Sequence, residues 1–300
     1  MTRSRKPESL AQRVATVAVE LATQLARDWR DAPYDDLRGA VIYAVYAEIA
    51  NAQGLRAPPL ELVEPHIPAI AALKMRMRIC ENLPLAELTP ELFGCVQEAL
   101  TGFELDATGA LTAGRERRRR GVHFTPPELA RKVVARTLEP LLKCMEKSQP
   151  NRSVGERALM LRTCDPSVGA GAFLCALIRE LAPHVLKDGL ASDIHEAKRL
   201  VAIHVAYGVD KCAMAVYACK LAMRLECRAD CMPADWLDDN IRHGDALVGL
   251  DREQIASFNW KRGQPEIPEL ARMWDRAMAV GTRLREERVA RLSQIARSAV

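Results

Sequence analysis

The chain has 300 residues, 49% apolar, 27% charged and only 5% aromatic, a balance that suits a soluble globular protein of two domains. No uncharged stretch approaches the roughly 20 apolar residues of a membrane span, and the N-terminal MTRSRKPES lacks a signal peptide's apolar core. A cytoplasmic protein with no membrane partner is therefore expected, with its nine cysteines reduced and used as small core residues. Cys227 and Cys231 are the closest pair, in CRADC, but no second pair or nearby histidine completes a zinc site, so no metal is expected. The net charge of +4 is unevenly placed: from Lys261 to the end there are nine Lys or Arg against five Asp or Glu, and GRERRRR at Gly114–Arg120 is a second focus. Such runs suit a polyanion, or serve as a solvated loop.

The first hundred residues read as helices. Ser9 to Arg27 carries Leu10, Val14, Val17, Leu21 and Leu25 at three- and four-residue spacing, an amphipathic period. DDLRGAVIYAVYAEIANAQG follows the same period and stops at a glycine. Beyond the prolines at 58, 59, 65 and 68, a further helix is expected over Ala69 to Cys80. TPELFGCVQEALTG opens with Thr89 as a candidate cap, has Pro90 behind it, and closes at Gly102.

After Arg120 the pattern changes. TPPELARKVVARTLEPLL reads as a capped helix with Pro126 in an early position, where its missing N–H costs nothing. ALMLRTCD is an apolar run of strand length, GAFLCALIRELAP is helical, and Asp193 to about Ile203 is helical again. HVAYGVD, CAMAVYACKLAMRL and NIRHGDAL then give a second strand, another helix and a third strand end. That alternation belongs to a parallel α/β sheet covered on both faces. The last forty or so residues read as one or two charged amphipathic helices, whose apolar stripe (Leu270, Met273, Ala277, Val280, Leu284) needs a partner surface.

The candidate site lies where these strands end. In CDPSVGAGAFL, Gly169 and Gly171 follow a strand and precede a helix, so the backbone there can approach a ligand closely, with Asp165 at the strand's end. A lone G-x-G is also what a plain tight turn would show. Here, however, Asp210 ends the second strand, placed to grip two ribose hydroxyls, and Asp245 ends the third, where it could accept a bond from an exocyclic amine. A dinucleotide-binding dehydrogenase puts its acid about 20 residues after the glycines; here the spacing is nearly twice that, which argues against a nicotinamide site.

GVHFTPPELARKVV, DPSVGAGAFL, YGVDKCAMAVYACKLAM and IRHGDALVG resemble, in that order, the first four motifs of the adenine-specific (N6) DNA methyltransferases. The likeness is to the modification parts of type I and type IIG restriction enzymes and covers about Gly121 to Gly249. It implies a Rossmann-like, S-adenosylmethionine-dependent methyltransferase core, a doubly wound parallel sheet, at 114–260. An all-helical N-terminal domain at 1–113 would precede that core, and a charged helical tail at 261–300 would follow. The resemblance implies that Phe124, Thr125 and Pro126 close over the methionine end of S-adenosylmethionine, with Thr125 near its carboxylate. Asp165, Gly169 and Gly171 would hold the methionine moiety, Asp210 the ribose and Asp245 the adenine amine, with Pro166, Phe173, Lys211 and Ala246 completing the cofactor site. Double-stranded DNA is the implied partner.

The catalytic motif of those relatives, Asn or Asp followed by Pro-Pro and an aromatic, should follow GDAL at the end of a fourth strand. It is missing: Pro265 and Pro268 are not adjacent, and APPL and TPPE lack both the amide or acid and the aromatic. DAPY at Asp31–Tyr34 has Ala where Pro is needed and follows a helical stretch instead of a strand. No catalytic residue is therefore assigned. The expectation is the cofactor-binding part of an adenine-N6 methyltransferase of a restriction-modification or phage-defence system. A further protein subunit or a C-terminal region would then supply the motif and target recognition. Its rival is a catalytically inactive, methyltransferase-like subunit that senses the cofactor or scaffolds a defence complex.

Overall fold

A computed structural model describes residues 9–29, 32–58, 83–114, 125–248 and 268–298. Helix α1 (Leu10–Asp28) opens on a capping box, in which the Ser9 hydroxyl accepts from the Gln12 amide and the Gln12 side chain accepts from the Ser9 amide. Its apolar stripe, with Val14, Leu21 and Leu25, is buried as its period predicts. Helix α2 (Tyr34–Ala52) departs from the expected amphipathic pattern: every residue from Leu37 to Ala50 is buried. It is a central helix, packed on one side by α1 and on the other by a helix of the α/β part, so it has no solvent face to keep polar.

Helix α3 (Leu92–Thr101) starts two residues past Pro90, with Glu91 and not Thr89 at the cap position and no side-chain cap bond. The expected helix at Ala69–Cys80 lies outside the described residues. The N-terminal part is also not all helical. Strands β1 (Phe103–Leu105) and β2 (Leu111–Ala113) form an antiparallel hairpin. Its turn is organised by Asp106, whose Oδ1 accepts from the Thr108 and Ala110 amides at 2.8 and 3.0 Å, and Gly109 there takes φ +77°. Strands of three residues are too short to show a period.

Helix α4 (Pro127–Ser148) begins with Pro126 at the cap position, again with no side-chain cap bond. The run ALMLRTCD is mostly not a strand: α5 (Val154–Met160) carries a second capping box, Ser153 with Glu156, and only β3 (Thr163–Asp165) remains extended. The box had turned the apolar residues into one short helix, a signal that outweighs a strand-length run. Then come α6 (Ala172–Lys187), α7 (Ile194–His204, capped by Asp193), β4 (Ala206–Asp210), α8 (Ala213–Glu226) and β5 (Ile241–His243). The tail is one helix, α9 (Pro268–Ser298).

Strands β3, β4 and β5 form a parallel sheet in chain order, with Thr163 opposite Ala206 and Gly208 opposite Ile241. Ala206, Gly208 and Ile241 are buried on one face. On the other face Cys164 and Arg242 are exposed and Tyr207 is half-buried, with the Arg285 guanidinium of α9 5.4 Å from its ring centre. A cleft of about 850 Å³ separates α9 from this face, and no described strand pairs with the outer edge of β3. The described residues thus give a three-stranded parallel α/β unit behind a mainly helical segment, short of a sheet wound on both faces. Only the C-terminal third of α9 is covered, by α7, where Leu292 and Ala296 are buried and Arg199 donates to the Ala296 carbonyl at 3.0 Å. Met273, Val280 and Leu284 of the expected stripe stay exposed. Among the described residues no helix is long and apolar enough to cross a membrane.

An ion cluster with buried carboxylates and a half-buried arginine joins the two parts. Arg179 of α6 pairs with Glu91 ahead of α3 and with Glu226 at the end of α8, and Lys198 of α7 reaches Glu226 at 2.7 Å. Burial pushes the Glu91 carboxyl up, but the Arg179 guanidinium more than offsets it and holds the group below the ordinary glutamate value. A carboxyl depressed in the fold contributes stability above its unfolded pKa, and that contribution is lost as pH falls through the folded value. Arg179→Met leaves Glu91 buried without its cation and should cost about 3 kcal/mol at neutral pH. Denaturant unfolding of parent and variant from neutral to acid pH checks this, because the difference should shrink as Glu91 becomes protonated.

Candidate functional site at the strand ends

The segment between β3 and α6 lies directly across β4. The Val168 amide donates to the Val209 carbonyl at 3.0 Å, and the Gly169 amide donates to Asp210 Oδ2 at 2.9 Å. Gly169 has φ +52° with open space where a Cβ would be, and Gly171 has φ +84°, conformations that L side chains rarely adopt. A Cβ on Gly171 would also sit 2.8 Å from the Cys219 sulfur of α8. On the strand beneath, a Cβ on Gly208 would meet Val168 at 2.7 Å. Gly208, Val168 and Cys219 went unmarked in the sequence; a glycine inside the strand AYGVD is the signal that could have found them, since it often marks a close backbone approach.

Asp165 and Asp210 are each the last residue of their strand. Asp165 Oδ1 accepts from the Ser167 amide at 3.0 Å, while its Oδ2 is buried with no hydrogen-bond partner among the described residues. Burial pushes this carboxyl above the ordinary aspartate value; the Ser167 bond opposes the rise, and the nearby Asp210 charge adds to it. Asp210 is tied on both oxygens, Oδ2 to Gly169 and Oδ1 to the Cys212 amide at 2.8 Å, and its carbonyl accepts from the Gly244 amide. Each of its oxygens keeps a further lone pair for a hydroxyl donor.

Asp245 stands two residues beyond β5. Its Oδ1 accepts from the Leu247 and Val248 amides, and its Oδ2 pairs with Lys211 Nζ at 2.5 Å; that lysine lowers its pKa. The third acid is thus linked to the second through the residue that follows Asp210. Pro166 and Ala246 are exposed, and Phe173 packs on the core from the first turn of α6. Thr125 and Pro126 stand just before α4, which packs on α6. No hydrogen bond or ion pair among the described residues joins Thr125 to the acids. Phe124 and Arg115–Arg120 lie outside the described residues.

In DAPY, Tyr34 is the first residue of α2, and its hydroxyl donates to the Leu100 carbonyl at 2.6 Å. Asp31 lies outside the described residues. Among the described residues no group of three or more His, Cys, Asp or Glu is placed to hold a metal ion.

No protein-family profile matches the chain. A protein of Methanocaldococcus jannaschii named as a type II restriction enzyme and methyltransferase is 22% identical over 276 residues, spanning 77% of this chain. The chain covers only 22% of that relative's length. Among solved structures, the type IIL restriction-modification enzyme MmeI in complex with DNA aligns with 78% of this chain and 38% of its own, at 16% identity and a TM-score of 0.45.

The close crossing at Gly208 makes a direct prediction. Gly208→Ala forces Val168 off β4 and should destabilise the fold by about 1–3 kcal/mol. Gly244→Ala is the control, since its Cβ would meet nothing nearer than Val209 at 3.9 Å. Urea unfolding of the two variants should separate them.

Proposed function

We propose that this chain is the S-adenosylmethionine-binding part of a DNA adenine-N6 methyltransferase of the restriction-modification or phage-defence kind. The observation that carries the reading is Asp165 Oδ2, a buried carboxylate oxygen without a hydrogen-bond partner among the described residues, set beside a glycine turn that leaves open space above Gly169. A desolvated carboxylate calls for a cationic donor, and the amino group of a methionine moiety is one. In this reading Asp165 takes that amino group, Gly169 and Gly171 admit it by backbone approach, and the spare lone pairs of Asp210 take the ribose hydroxyls. Asp245 takes the adenine amine, sharing its carboxylate with Lys211, and Phe124, Thr125 and Pro126 close the methionine end. The cofactor supplies a methyl group on a positively charged sulfur; the residues of this chain bind and orient it.

The division into 1–113, 114–260 and 261–300 belongs to the same proposal. Transfer to an adenine amine also needs a flipped base held by an oxygen acceptor and an aromatic wall. In our reading these come from another polypeptide or from the remainder of a longer chain. Among the described residues no strand pairs with the outer edge of β3 and a cleft separates α9 from one sheet face, which supports that completion, since a parallel sheet is stable with both faces covered. Double-stranded DNA as substrate rests on the arginine run and on the name of the distant relative. The missing catalytic motif favours a second reading, a catalytically inactive subunit that senses the cofactor or scaffolds a defence complex.

Calorimetry with S-adenosylmethionine tests the first step. The full chain should bind it, and Asp210→Ala should weaken binding by about 1.5–3 kcal/mol for each charged hydrogen bond lost. Asp165→Asn should lose affinity yet leave the unliganded protein as stable or more so. Because the Asp165 carboxyl is raised in the fold, the apoprotein loses stability as pH climbs from the ordinary aspartate value through the folded one, and Asn removes that loss. Tight binding of NAD instead would overturn the reading.

Transfer of labelled methyl to DNA then separates the two readings. The chain alone should transfer none, having the donor placed but not the nucleophile. Transfer on adding a polypeptide that carries the acceptor and aromatic supports the split enzyme; cofactor binding with no transfer under any such addition supports the inactive subunit. Robust transfer by this chain alone would mean that its catalytic motif is here, with DAPY the first place to look.

A further inference from the structure

The loop that follows Asp210 is held from behind by the helical segment. Cys212, the cap residue of α8, donates its amide to Asp210 Oδ1 at 2.8 Å. Its sulfur receives Gln97 Nε2 of α3 at 3.6 Å and Arg38 Nη2 of α2 at 4.0 Å. Both donors are almost wholly buried, Arg38 at 3% exposure and Gln97 at 2%. Arg38 Nη2 also donates to the Thr101 hydroxyl at 3.0 Å, and its Nη1 pairs with Asp35 at 2.8 Å.

This arrangement is costly for what it holds. Arg38 Nε and Gln97 Oε1 are buried with no hydrogen-bond partner among the described residues, and a thiol sulfur is a weak acceptor. Apolar side chains would fill the same space without the desolvation. What the polar groups add is position. Cys212 is fixed at two points, by its sulfur on the helical side and by its amide on the acid side. Asp210 is in turn clamped between Cys212 and the Gly169 amide.

We infer that Arg38 and Gln97 are positioning residues for Asp210, so that the helical N-terminal segment forms the back of the cofactor crevice and is not a detachable module. The inference rests on the reading of that crevice as a site for S-adenosylmethionine. It adds that a disturbance of α2 or α3 reaches the ribose-side acid without touching the ligand.

The test measures S-adenosylmethionine affinity by calorimetry on the full chain. Gln97→Leu, Arg38→Met and Cys212→Ala should each weaken binding roughly three- to tenfold, the size of one or two lost polar contacts. Cys212→Ser, which keeps an acceptor, should restore most of the affinity. Cys212→Ala leaves Arg38 paired with Asp35 and Thr101, and its unliganded thermal midpoint, measured beside that of the parent, covers the case in which Arg38→Met fails to fold. In an Asp210→Asn background the same substitutions should have little further effect, because they act through that carboxylate.

Unchanged affinity in Gln97→Leu and Cys212→Ala, while Asp210→Asn still weakens binding, overturns the inference and leaves the cofactor reading standing. An equal loss with and without Asp210 also overturns it, as a general effect on the fold. A parent chain that binds no S-adenosylmethionine overturns the cofactor reading and this inference together.

Discussion

The close passage of the β3–α6 turn over β4 is the constraint on which the strand-end geometry depends. The Val168 side chain packs directly on β4 because residue 208 has none, while Gly169 and Gly171 supply the positive φ that the turn itself requires. The crossing lets two main-chain amides bond to β4 itself, to the Val209 carbonyl and to the Asp210 carboxylate. It also brings the start of α6 against Cys219, setting how closely α6 and α8 lie together. Asp165 is left with one oxygen sealed from water. A buried, unbonded carboxylate oxygen is costly, and in folded proteins such costs gather where a ligand relieves them.

Among the polar contacts that knit the helical segment into the α/β unit, two are not best explained by stability alone. The cluster of Arg179 with Glu91 and Glu226, extended by Lys198, joins α6, α7 and α8 to the entry of α3. Buried ion pairs gain little over apolar packing, but they penalise any arrangement that separates them. The contact of Arg38 and Gln97 with Cys212 does the same beside Asp210. Apolar burial of α2 supplies the bulk of the adhesion, and the charged groups fix its register.

The two sides of the sheet differ in character. One face carries buried alanine, glycine and isoleucine; the opposite face shows a cysteine, an arginine and a tyrosine beneath a cationic helix. Among the described residues no strand pairs with the outer edge of β3, and an unpaired edge is a template for a further strand. Asp165 and Asp210 stand at the C-terminal ends of β3 and β4, side by side at one end of this sheet.

Much of this was legible in the residues, because local rules act over a few positions. The stripe of α1, the Asp193 cap, the alternation from Thr163 to His243 and the strand-end places of Asp165 and Asp210 all follow from period, cap chemistry and turn glycines. Where two local rules compete, the sequence misleads: ALMLRTCD has strand length, but the capping box of Ser153 and Glu156 draws its first three residues into a helix and leaves only the last three extended. Other features have no local signature. The full burial of α2 depends on what packs against it, and the hairpin at Phe103–Ala113 has strands too short for a period. The pairing of Asp245 with Lys211, the clash that keeps residue 208 a glycine and the reach of Arg38 to Cys212 join positions far apart in the chain. Sequence alone determined which residues could form strands, caps and acid-ended turns, since those choices depend on near neighbours. Only the tertiary structure decided which acid keeps a buried oxygen without a partner among the described residues and which helix stands behind it, because both depend on contacts made after the chain has folded back on itself.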